Sequence, residues 1–106
     1  MATPGNQLFG AQNQFSEEQK LVAWQKATVV PGYNSANYRK DRYGAWIKWG
    51  DYGNTSSKWG WEVDHIYPVS RGGTDNPDNL QALHWKNNRA KGDSIGHIVP
   101  AVTATS

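Results

Sequence analysis

The run WEVDHIYPV at 61–69, the turn-rich SRGGTDNPDN, the run LQALH at 80–84 and the helix-forming WKNNRAKG follow one another without a break. This order constrains the fold more than any other feature of the chain. In the first run Glu62 and Asp64 fall on one side of a strand, with Ile66 continuing that side, and Val63, His65 and Tyr67 fall on the other. Pro68 ends the run or marks an edge position. Gly72 and Gly73 suit a turn, LQALH reads as a second short strand, and Gly92 closes the helical run as a C-cap. Strand, glycine turn, strand and short helix predict an α+β unit. The helix can then return against the end of the first strand.

Upstream, SEEQ at 16–19 is a capping box that opens a helix from about Glu17 to Ala27. Leu21, Trp24 and Thr28 recur at helical spacing, and Pro31-Gly32 turns the chain away. Residues 33–44 read as a loop with at most a short helical turn. GAWIKWGDYGN suggests one short strand, with Trp46 and the stem of Lys48 opposite Ile47 and Trp49. The 106 residues suit one domain. It divides into a flexible arm at 1–15, a domain at 16–93 with its motif at 61–93, and a loosely docked tail at 94–106. There is no cysteine, which excludes disulfides and Cys-ligated zinc. No stretch approaches the roughly 20 apolar residues of a membrane span. The first residues carry no basic segment followed by an apolar run, so a cytoplasmic location without a secretory signal is expected.

Asp64 and Asn88 offer a carboxylate and an amide oxygen, the hard ligands that suit Mg²⁺. Two protein ligands leave most positions to water and phosphate oxygens. The neutral imidazole of His65 beside them can take a proton from an attacking water. That set points to metal-assisted phosphodiester hydrolysis. The net charge of +2 says little. Its distribution says more, since Arg39, Lys40 and Arg42 form one basic cluster and Lys86, Arg89 and Lys91 another, flanking the same site. Two such clusters favour a polyanionic partner. Core packing accounts for most of the six tryptophans.

At these residues the chain resembles the HNH endonuclease family. The likeness rests on Asp64-His65, Pro68 with Gly72-Gly73, Asn79-Leu80, and Asn88 with Arg89 and Lys91. It covers roughly a third of the chain, and the ordered set is far more specific than any one pair. YRKDRYGAWIKWGDYG upstream, together with GWEVDHI, also looks like a group of small HNH proteins. The resemblance implies a ββα-metal (His-Me finger) core, here with an added N-terminal helix and a short extra strand. It implies His65 as general base, Asp64 and Asn88 as metal ligands, and Asn79 as the residue that fixes the loop orienting the base. It implies Mg²⁺, Mn²⁺ or another divalent cation, DNA as partner with RNA left open, and 5′-phosphate and 3′-hydroxyl products. Arg89, Lys91, Lys86, Arg71, Arg39, Lys40 and Arg42 are then the candidate nucleic-acid contacts. Asn88 stands where the family name has its last His, making an H-N-N form. Many relatives carry two Cys pairs that bind structural zinc. This chain has none, so its aromatic content must serve instead, and His84 stands at one of those Cys positions.

Each residue also has an ordinary reading. Asp64 and His65 can be an edge-strand ion pair, Asn79 a turn residue, Asn88 a helix-surface residue, and the cations solvated charges. Two other functions remain: a catalytically silent nucleic-acid-binding module of the same fold, and a structural domain that meets a protein through exposed tryptophans.

Overall fold

The computed structural model describes residues 15–104. The arm expected at 1–15 lies outside this range except for Phe15, which is buried. Helix α1 spans Glu17–Gln25. Strands β1 (Tyr38–Lys40) and β2 (Trp46–Lys48) pair antiparallel, as do β3 (Trp61–His65) and β4 (Leu80–His84), and helix α2 (Trp85–Lys91) follows β4 directly. The architecture is α+β, with two hairpins and two helices. Among the described residues no helix is long and apolar enough to cross a membrane.

The capping box forms as the sequence suggests. The Ser16 hydroxyl accepts from the Gln19 amide at 3.0 Å, and the Ser16 amide donates to the Gln19 side chain at 2.9 Å. The helix stops at Gln25, earlier than expected. Ala23 and Trp24 form its buried face, whereas Leu21 is 45% exposed. Residues 38–40 correct the expectation of a loop at 33–44. Tyr38, Arg39 and Lys40 take strand geometry because β2 lies beside them, with Arg39 opposite Ile47. A three-residue strand is too short to show a period of its own, so only the partner reveals it. There are therefore two extra strands rather than one.

The core is built on tryptophan. Trp24 and Trp61 are buried, with ring centroids 5.1 Å apart, and Trp49 packs 5.6 Å and 5.5 Å from them. The indole N–H of Trp24 donates to the Ser35 carbonyl and that of Trp61 to the Trp49 carbonyl, so the buried rings leave no donor unsatisfied. Trp46, Trp59 and Trp85 are only half-buried.

A polar centre ties the outer segments to this core. Asp41 is 2% exposed, and its carboxylate accepts from the amides of Tyr43, Ala45 and His84 and from the Asn87 side chain. Asn87 in turn exchanges two hydrogen bonds with the Val102 backbone. His84 is buried. One ring nitrogen meets the Lys58 carbonyl at 2.8 Å, and the other accepts from the Lys86 amide at the start of α2. His84 is thus held as a structural residue.

Candidate active site

The β3–β4 register pairs Asp64 with Gln81 and His65 with Leu80, and α2 runs back along β3 from the Trp61 end. This brings β3, the 66–79 loop and α2 to one open cleft of about 590 Å³. Asp64, His65, Asp75, Asn88 and Arg89 border it, with Phe15 on one wall. Neighbours on a strand alternate sides, which had placed His65 away from Asp64. Both nevertheless border the cleft, because His65 is the last residue of β3.

His65 is held from two directions. Its Nε2 lies 2.7 Å from the Asp75 carboxylate, and the Phe15 ring packs with centroids 5.3 Å apart. A carboxylate only accepts, so it selects the tautomer with the proton on Nε2. That leaves the Nδ1 lone pair to take a proton. The loop carrying Asp75 is fastened by Asn79. Its amide nitrogen donates to the Tyr67 and Thr74 carbonyls at 3.0 and 2.8 Å, and its oxygen accepts from the Tyr67 amide at 2.8 Å. The two glycines have separate reasons. Gly72 has φ 99°, where a side chain is strained, and a Cβ on Gly73 would lie 1.7 Å from the Tyr67 carbonyl oxygen. Lys26 of the α1 cap donates to the Pro77 and Leu80 carbonyls and anchors the far end of the loop.

Asp64 is 5% exposed. Burial pushes its carboxyl above the ordinary carboxylate range, while the Gln81 hydrogen bond at 2.9 Å and the Lys91 charge at 3.3 Å pull it back. Asn88 is directed by a residue the sequence did not single out. Its Nδ2 donates to Glu62 Oε1 at 2.9 Å, so the amide is oriented, and its oxygen has no protein partner among the described residues. Glu62 is itself 4% exposed and takes a bidentate contact from Arg89 at 2.6 and 3.0 Å. Glu62 and Asp64 share one side of β3, and that spacing was the available signal. Asp75 gave none, since an acidic residue in a polar turn looks solvated.

Residues 54–94 match the family model described as HNH endonuclease. The HNH segment takes in β3, the glycine loop, β4 and α2, and leaves out α1 and the β1–β2 hairpin. It contains no cysteine. No curated protein and no solved structure matches the chain.

The basic residues around the HNH segment divide. Arg89 borders the cleft, half committed to Glu62. Lys91, expected at phosphate, is turned inward instead. It is 4% exposed, and its ammonium donates to the His65 carbonyl at 3.0 Å beside Asp64. Arg39 is also turned inward, donating to the Ser35 and Trp24 carbonyls among others. Arg71 is exposed. Its Nε donates to the Asp93 carbonyl, and its terminal nitrogens have no protein partner among the described residues. Lys40, Arg42 and Lys86 lie outside the cleft, near the rings of Trp46, Tyr43 and Trp85.

Among the described residues there is no cluster of three or more His, Asp or Glu able to hold a metal. The hard donors that border the same cleft are the Asp64 carboxylate and the unpartnered Asn88 oxygen. A hard divalent cation that keeps most of its water suits such a pair.

Proposed function

We propose that the chain is a divalent-metal-dependent endonuclease that hydrolyses phosphodiester bonds of DNA, leaving 5′-phosphate and 3′-hydroxyl ends. One observation carries this reading: the Asp75-held imidazole of His65 borders the same cleft as Asp64 and a directed, unpartnered Asn88 oxygen. The HNH endonuclease match over the same residues supports it. His65 takes the proton of the attacking water at Nδ1, and Asp75 stabilises the imidazolium that results. Asn79 keeps the Asp75 loop in place. Asp64 and Asn88 would hold the divalent cation, which when bound would stabilise charge on the leaving oxygen. Arg71 and the free edge of Arg89 would meet phosphate oxygens.

Nicking of supercoiled plasmid by the purified chain tests the activity, with Mg²⁺, with Mn²⁺ and with EDTA. Nicks should appear only with metal, and the ends should be sealed directly by DNA ligase. Intact plasmid under all conditions would overturn the reading.

A second reading is a catalytically silent nucleic-acid-binding module, favoured by the Lys91 ammonium that already neutralises Asp64. It predicts DNA binding unaffected by EDTA and no nicking. A bound divalent cation, read as a Mg²⁺- or Mn²⁺-dependent rise in Tm that Asn88→Ala abolishes, would exclude it.

A further inference from the structure

We infer that the outer face of the β1–β2 hairpin binds an unpaired nucleic-acid strand, with bases on its aromatic rings and phosphates on its lysines. That the occupant is nucleic acid rests on the nuclease reading; the face shares no residue with the cleft. In β1–β2 the alternation of sides turns Arg39 and Ile47 inward, Ile47 being fully buried. The opposite face pairs Tyr38 with Lys48 and Lys40 with Trp46. Cations and rings interleave across it. The Lys40 ammonium sits 4.9 Å from the Trp46 ring centroid, and Lys48 lies between Tyr38 and Trp59 at 5.9 and 5.8 Å. Lys58 follows, 5.0 Å from Trp59.

The charges on this face are not neutralised. Lys20, Arg89 and Lys91 each have a carboxylate partner. The ammonium groups of Lys40, Lys48 and Lys58 have no ion pair and no hydrogen bond among the described residues. The indole N–H groups of Trp46 and Trp59 are also without a partner there, unlike those of Trp24, Trp61 and Trp85. Three uncompensated ammonium groups spaced by half-buried rings complement a strand that alternates phosphate and base. A duplex buries its base faces in the stack and has no use for the rings, so the arrangement selects the unpaired strand. The face adjoins the Trp61 end of β3, and the cleft lies at the His65 end, about 13 Å along the strand.

The test is equilibrium binding in EDTA, where nothing is cut, of a fluorescent 20-nucleotide single strand and of the same sequence as a duplex. The triple variant Lys40→Gln, Lys48→Gln, Lys58→Gln should flatten the single-strand salt dependence by about 2 units of log–log slope. Trp59→Ala should weaken single-strand binding by about 10-fold. Duplex affinity should change far less in both, and saturated plasmid nicking should stay at the wild-type rate. The lysine variant removes no hydrogen bond and no ion pair, so it tests the face even where Trp59→Ala does not fold. A wild-type chain that ignores single strands overturns the proposal, as does a lysine variant with an unchanged slope, or equal losses on both probes. Binding as described by a chain that never nicks would keep the face and overturn only the nuclease reading.

Discussion

Glu62 and Asp75 do at the residue scale what the motif residues cannot do for themselves. Glu62 aims the Asn88 amide, and Asp75 sets the His65 tautomer. Removing the aim should slow the reaction, though less than removing the group. Asp75→Asn should slow single-turnover nicking by about 10-fold or more with little change in DNA affinity, because an amide no longer enforces the tautomer. A rate equal to wild type would detach Asp75 from the base. Asn88 allows a sharper experiment. Asn88→Ala should lose nicking with every metal, whereas Asn88→His should keep some and shift preference from Mg²⁺ toward Mn²⁺, Co²⁺ or Ni²⁺, because imidazole favours later metals. A metal series on the three proteins reads this directly. Wild-type nicking by Asn88→Ala with Mg²⁺ would remove Asn88 from the ligand set. The residues proposed to carry the chemistry, Asp64, His65 and Asn88, stood out in the sequence because their spacing is unusual. Their supports were not. Whether Lys91 faces solvent or Asp64 depends on how α2 is rotated against β3, and no residue type states that.

At the scale of elements, the strands and helix around the cleft were readable as a set, since turn glycines and short alternating runs fix what each piece can be. The β1 strand was not, because YRK acquires its conformation from β2. Nor was the buried face of α1, where the helical spacing of Leu21 and Trp24 pointed to one stripe and packing against β4 chose Ala23 and Trp24. The glycine loop is the element on which the proposed base depends. Gly73→Ala would force its Cβ into the Tyr67 carbonyl, which should destabilise the protein by about 2 kcal/mol or more and displace Asp75. Its Tm should therefore fall and its nicking rate should fall further than the loss of folded protein explains. A Tm within error of wild type would show that the loop yields without cost.

In the whole molecule, two centres hold the HNH segment to the rest: the tryptophan core, and the buried Asp41 that joins the 41–45 turn, β4 and α2, with Asn87 carrying the connection on to the tail. The absence of cysteine announced that something other than Cys-bound zinc must do this, and the aromatic count named half of the answer. The polar half could not be seen, because Asp41 sat in a stretch that reads as a basic loop. Asp41→Ala would leave four donors without their acceptor, three of them buried, and should cost about 3 kcal/mol or more, a fall in denaturation midpoint that urea unfolding measures. The same unfolding curve as wild type would dismiss the centre. The proposed function requires His65 to be the proton acceptor of a metal-dependent phosphodiester hydrolysis. Single-turnover nicking by His65→Ala, with DNA affinity measured in parallel, tests it most directly. The rate should fall by roughly 10² or more while affinity stays near wild type; equal rates for the two proteins would contradict it.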